Sequence, residues 1–297
     1  MRADTRPGPA HGGTLHGLRR DAVRQRGTGT PVLVLHGTPG GVDTADVMGR
    51  FLPSDRFRVV TVSRPGYLGT PVRHGRSSLD DDADRAVALL DRLGIDRVGL
   101  LAWSGGGPSA YRLAVRHPDR VSALVVAAGL SARWTPPHET PAEWFVTQTR
   151  PGAALSALAA RIAPGAVVRA AIAGVSSLRG ADLDAHVDGV LADPVRRRFV
   201  LDLAATGNAS GPHRAGWRND VANLGEIDSL ELEAVRAPTL LLHGDADTDV
   251  LPEHSRRAAT AIPGAELVTL PGGTHFALWD HEDAAAVQER VRQHLDR

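Results

Sequence analysis

The chain contains no cysteine and no lysine. Without thiols there can be no disulfide, no thiolate metal site and no cysteine nucleophile. All 34 basic residues are therefore arginines, and 34 acidic residues balance them to a formal net charge of zero. A neutral chain lacks the clustered basic surface that neutralises phosphates, so nucleic acid is not an expected partner. No apolar run approaches the roughly 18 residues needed to span a bilayer, so no membrane association is expected. Residues Met1–Gly13 are rich in proline, glycine and polar side chains and lack the apolar stretch of a signal peptide. That segment reads as a tail, and the protein as cytoplasmic.

What is present is ordinary for a globular enzyme or binding protein. The 297 residues are 42% apolar and 23% charged, enough for one large α/β domain or one domain carrying an insertion. The early stretch Leu15–Arg26 could hold one or two weak strands. The first strong signal is Pro31–His36, a short apolar run stopped by Gly37, which is how a strand buried on both faces reads. Similar runs follow at Phe57–Val62, Val98–Ala102, Val121–Ala127, Thr239–His243 and Glu266–Leu270. Helical patterns at Asp80–Leu93, Pro108–Arg116, Glu253–Ala261 and Asp283–Leu295 separate them, which predicts a mostly parallel sheet covered on both faces. From Ser131 to Arg236 the alternation stops. Ala-rich helical segments (Gly152–Ala163, Ala166–Ala173, Pro194–Ala204) fill this interval, together with three of the five tryptophans: Trp134, Trp144 and Trp217. The expected division is a core at 14–130 and 237–297 with a helical cap at 131–236. Asn208–Asp220, with its glycines, proline and polar side chains, reads as a lid loop or exposed linker.

Val98–Trp103 runs directly into Ser104-Gly-Gly-Gly-Pro108 and then into a helical pattern. Small residues flank Ser104 at both positions two away, Ala102 and Gly106. A nucleophile held on a tight strand-to-helix turn requires that spacing, because bulky neighbours would collide across the turn. The helix N-terminus behind it suits a developing oxyanion. Serine is also a common helix cap, so the reading depends on partners elsewhere. Downstream, Thr239–Gly244 leads into an acidic loop in which Asp245, Asp247 and Asp249 are all candidate acids. The spacing Gly244-x-x-Asp247, followed by Val250 and Pro252, favours Asp247, leaving Asp245 or Asp249 to hold the loop or the next helix. After the last strand, Pro271-Gly-Gly-Thr-His275 supplies a histidine whose pKa suits a general base near neutral pH. His117, His254 and His281 read as surface residues. His36-Gly-Thr38-Pro-Gly-Gly41 follows the first strong strand. Its Thr38 amide, with that of Gly105, would form an oxyanion hole, while His36 reads as a structural loop residue.

Taken in order, these elements resemble the α/β-hydrolase superfamily, in particular capped members with an HG-x-P oxyanion loop and an RPG-Y/F-G turn. Ser63-Arg-Pro-Gly-Tyr-Leu-Gly69 matches that turn with Leu68 inserted. The resemblance spans Pro31 to the C-terminus, thinning across the cap, and implies a cap inserted after the sixth strand. Some members carry the acid after the strand that follows the elbow helix, but Ala127–Gly129 offers no carboxylate there, which supports Asp247. The resemblance implies acyl transfer to Ser104 from a small-molecule ester, lactone or related carbonyl substrate, with no metal or organic cofactor. Dehalogenases and epoxide hydrolases of this fold use an aspartate where Ser104 stands. A natural-product tailoring enzyme, a carbon–carbon bond hydrolase and a small-molecule receptor remain compatible with the pattern. So does a proline iminopeptidase, for which Glu139, Glu143 and Asp220 are the weak candidates to hold an amino terminus. Trp103, Trp134, Trp144, Phe145, Trp217, Phe276 and Trp279 are the expected pocket lining.

Overall fold

Short β-branched and leucine-rich runs form seven strands in the computed structural model, which describes residues 22–73, 75–136 and 139–297. These are β1 (Val23–Arg26), β2 (Thr30–Leu35), β3 (Phe57–Val62), β4 (Val98–Trp103), β5 (Val121–Ala127), β6 (Thr239–Gly244) and β7 (Glu266–Leu270). They lie in the order β1-β3-β2-β4-β5-β6-β7. β1 is antiparallel to β3, and every other pairing is parallel. The expected tail and the start of the weak early stretch, residues 1–21, lie outside the described residues.

Twelve helices accompany the sheet: α1 (Val42–Gly49), α2 (Leu79–Arg92), α3 (Gly107–Arg116), α4 (Pro141–Gln148), α5 (Arg150–Ile162) and α6 (Pro164–Gly174), then α7 (Gly180–Ala192), α8 (Pro194–Thr206), α9 (Arg214–Leu224), α10 (Glu253–Ala261), α11 (Ala277–Asp280) and α12 (Ala284–Leu295). Alternation along each strand sorts the core into two faces, because successive side chains point opposite ways. Val32 and Val34 join a cluster with Met48 of α1 and Val291 of α12, whereas Leu33 and Leu35 join one with Leu90 of α2 and Leu113 of α3. The start of α2 follows from Ser78, whose hydroxyl accepts the Asp81 amide while the Asp81 carboxylate accepts the Ser78 amide.

Helices α4–α9 form one excursion between β5 and β6. It follows the fifth described strand; a count of six would need a further strand at 15–21, outside the described residues. Helices α6–α8 extend the core of the α1–α12 face through Ile172, Val187 and Phe199. Hydrogen bonds tie the excursion to the sheet's loops: Ser177 N–H donates to Ala246 O and Thr248 N–H to Val175 O.

Asn208–Asp220 is not an exposed linker. It contains a 3₁₀ turn at Gly211–His213 and most of α9. This helix escapes an apolar-periodicity reading because much of its buried face is polar or small: Gly216, Asn219, Asp220 and Asn223. Gly216 presses on the ring of Tyr67, where any Cβ would collide, and its amide donates to Gly66 O at 2.9 Å. Asp220 meets Arg64 in a two-pronged ion pair with Nη1–Oδ1 2.9 Å and Nη2–Oδ2 2.6 Å. Both side chains are almost sealed from solvent, at 1% and 3% exposure.

A guanidinium remains charged at any ordinary pH, so removing its partner leaves a buried, uncompensated cation. Asp220→Ala is expected to cost about 3–5 kcal/mol in urea unfolding. Asp228→Ala, which breaks the exposed pair with Arg133, should stay within about 0.5 kcal/mol of the parent. Equal losses in the two variants would contradict this account of the pair.

Candidate active site

β4 ends at Trp103, and the next residue, Ser104, takes a left-handed backbone with φ 54° before the chain enters α3. Such a conformation is costly for a non-glycine residue and persists only where its surroundings enforce it. The glycines that follow permit the turn. A Cβ on Gly106 would lie 2.6 Å from the carbonyl oxygens of Leu35 and His36, and one on Gly105 would strike the Thr38 hydroxyl. The elbow therefore sits against the end of β2 with two backbones in contact. Ser104 is 5% exposed.

The Thr38 loop is held from below. Its hydroxyl donates to Asp220 Oδ2 at 2.6 Å and accepts from Arg64 Nη2 at 2.8 Å. Tyr67 Oη donates to the same carboxylate oxygen at 2.8 Å. His36 is fully buried, its Nε2 accepting the Arg64 amide at 3.0 Å and its Nδ1 lying 2.7 Å from Gly37 O. These partners assign the proton to Nδ1. Burial, with Arg64 beside it, drives the His36 pKa well below the ordinary histidine value, so the ring is a neutral strut of the loop.

On the opposite side, the loop after β6 carries Asp247. Its Oδ1 accepts the amides of Asp249 and Val250 at 2.9 and 3.0 Å, and its Oδ2 lies 2.7 Å from His275 Nδ1. His243 Nε2 stands 3.2 Å from the same Oδ2. Burial alone would raise this carboxyl, but His275 and His243 outweigh it and hold the pKa at about 2. His243 is a site residue that sequence reasoning missed; as the last polar residue of an apolar strand it carries no distinguishing signal. Of the other loop acids, Asp245 accepts the Gly272 amide at 2.6 Å and so holds the turn before His275.

Asp249 does something else. Its Oδ2 lies 3.3 Å from His275 Nε2, so the ring is flanked by a carboxylate at each nitrogen. Nε2 itself is buried and makes no hydrogen bond, and none joins it to Ser104 among the described residues. Burial opposes protonation of His275, yet Asp247 and Asp249 prevail and raise its pKa above 6.5.

A cavity of about 280 Å³ opens at this point. His275, Asp249, Thr38 and Trp103 form part of its wall; Ser104 and Gly105 do not line it, although Gly105 abuts Thr38. Trp103 lies 5.0 Å from the His275 ring and donates its indole N–H to His275 O at 3.1 Å. Trp134, Trp217 and Phe276 also line the cavity. Three expected lining residues do not. Trp144 and Phe145 are 51% and 41% exposed on the outer face of α4, and Trp279 stacks on Phe199 in the core at 4.9 Å. Of the acids considered for holding an amino terminus, Asp220 is committed to Arg64 and Glu143 caps its own helix. Glu139 lines the cavity. Of the three histidines read as surface residues, His117 and His254 are half-buried and only His281 is buried. His281 is buried with Nε2 3.0 Å from Pro271 O, His254 accepts the Ser131 amide, and His117 pairs with Asp84.

This arrangement has relatives. The solved structure of an alpha/beta hydrolase fold protein from Nakamurella multipartita is 45% identical with a TM-score of 0.90, covering 92% of this chain and 94% of that one. Haloalkane dehalogenase 2 of Mycobacterium tuberculosis is 30% identical over 89% of this chain and 88% of its own. A pimeloyl-[acyl-carrier protein] methyl ester esterase of Aromatoleum aromaticum is 30% identical, covering 88% and 97%. The family model for the alpha/beta hydrolase fold matches residues 30–282, which take in every strand but β1, the elbow and both loops that meet at His275, and the chain belongs to that family.

Proposed function

We propose that the protein is a serine hydrolase that cleaves a small carboxylic ester, lactone or related carbonyl compound through an acyl-enzyme. The observation that carries this reading is the buried Asp247–His275 pair beside the cavity, in which Nδ1 is bound and Nε2 makes no hydrogen bond. With the proton fixed on Nδ1, Nε2 carries the lone pair of a general base. In this mechanism Ser104 attacks the carbonyl carbon as Nε2 takes its proton, displacing the Asp249 contact. Hydrogen bonds of this kind are often unformed until substrate is bound. Asp247 stabilises the imidazolium, and the amides of Thr38 and Gly105 hold the oxyanion. His275 then protonates the leaving group and activates water to release the acid. Helices α4–α9 serve as the cap that encloses the substrate.

The residue at position 104 separates this reading from dehalogenation. Attack of a serine on an alkyl halide would leave an ether, which water does not hydrolyse, so turnover requires a carboxylate nucleophile instead. Serine fits a carbonyl substrate, where the covalent intermediate is an ester that the same base can cleave.

A fluorophosphonate probe should add one equivalent to the parent protein and none to Ser104→Ala, as read by intact-protein mass spectrometry. Loss of turnover of a p-nitrophenyl ester in that variant should be roughly 10⁴-fold or more. Labelling that persists in Ser104→Ala would remove the assignment of the nucleophile.

The pH profile provides a second test. The active base is neutral, and its proton affinity is raised, so kcat/KM should fall with acidification along a limb centred above pH 6.5. Asp249→Asn deletes one of the two carboxylates that favour the imidazolium, so the limb should move to lower pH. A profile from pH 5 to 9 in which Asp249→Asn leaves the limb in place would show that Asp249 does not act on His275.

A further inference from the structure

The charges that line the cavity point to the chemistry of what enters it. Two carboxylates belong to its wall, Asp249 beside His275 and Glu139 on the approach to α4. Although the chain has 34 arginines, none among the described residues lines this space, and His275 is its one basic group. Among the described residues, neither acid is paired with an arginine. Glu139 is held by neutral donors, the Thr147 hydroxyl at 2.7 Å and the Gln148 amide at 3.4 Å. The one ion-pair partner of Asp249 among the described residues is His275, which is committed through Nδ1 to Asp247. The remaining wall is apolar, with Trp134 and Trp217 set edge to face at 6.5 Å. An anionic group bound here would meet like charge on a wall that offers no arginine among the described residues. A cationic group would find two carboxylates and aromatic faces that attract positive charge.

We propose that this pocket selects carbonyl substrates by charge: it takes acyl chains that end in an amine or quaternary ammonium, and it rejects those that end in a second carboxylate. The inference rests on the serine-hydrolase reading for the position of the scissile bond, and on Glu139 and Asp249 for selectivity. Both residues are specificity determinants in this account, acting through the field they impose on the bound chain.

Three p-nitrophenyl esters of matched length test it: hexanoate, 5-(trimethylammonio)pentanoate and the monoester of adipate. The ratio of kcat/KM for the cationic over the anionic ester should be about 30 or more, and a smaller ratio overturns the proposal. In the double variant Glu139→Gln/Asp249→Asn the ratio should fall toward one; if it stays at the parent value, the two carboxylates are not its source. Calorimetric titration of Ser104→Ala with the same esters reads the preference without turnover. A parent protein that cleaves none of the three would contradict the acyl-enzyme reading, while the binding ratio in Ser104→Ala would still decide the charge selectivity.

Discussion

The ion pair between Arg64 and Asp220 joins the sheet, the excursion and the Thr38 loop at one point. Arg64 follows β3 by two residues, and Asp220 lies on α9, more than 150 positions along the chain. Their shared partner is Thr38, so the two charges set the distance between α9 and the loop that abuts the elbow. A buried pair of this kind is weak evidence for net stability, because desolvating both charges offsets much of their attraction. Its contribution is geometric. The guanidinium also donates to the His36 and Gly37 carbonyls at 3.2 Å, so one side chain satisfies several backbone acceptors of a loop that no sheet ladder reaches.

The parallel sheet explains why the remaining parts converge. The carboxyl ends of β2, β4, β6 and β7 all open on the same edge, where open α/β sheets hold their ligands. Each of those ends contributes one piece: the His36–Gly41 loop, the Ser104 elbow, the Asp247 loop and the turn that leads to His275. Glycines make the meeting tight enough. A Cβ at Gly244 would collide with the Gly273 carbonyl, so the loop that carries Asp247 and the turn that carries His275 touch through their backbones. Their separation is therefore fixed by main-chain contact, and the Nδ1–Oδ2 bond of 2.7 Å follows from it.

Legibility in the sequence followed the physical signal available to each part. Strands buried on both faces announce themselves as apolar runs, and β2 through β6 were readable to within a residue or two. Ser104, Asp247 and His275 stood out as candidates because each follows a strand within a few residues, among small residues that a turn would need, and the structure brings Asp247 and His275 into contact. The excursion was harder. Helix α7 has an apolar face divided among neighbouring helices, and α9 buries polar residues whose partners lie far away in sequence, so neither carries a clean period. The aromatic residues misled for a related reason: Trp144 and Trp134 are equivalent as letters, and only packing puts one in solvent and the other against the cavity. Asp249 was read as a loop former because nothing local distinguishes it from Asp245, which does hold the loop.

The surroundings of the two acids that flank His275 shift their pKa values in opposite directions. Asp247 receives two backbone amides and lies beside His243 as well as His275, an environment that keeps it ionised down to about pH 2. Asp249 gains no such donors for its side chain; burial and the neighbouring Asp247 push its pKa up, against the pull of His275. Environments that drive paired carboxyls apart assign their roles. The fixed charge belongs to the scaffold, while the adjustable one, on a residue that lines the cavity, is coupled to the protonation of His275. Protonation of His275 would strengthen its contact with Asp249. The contact at 3.3 Å thus ties the charge of Asp249 to that of the His275 ring, while the amides on Asp247 keep its own charge independent of it.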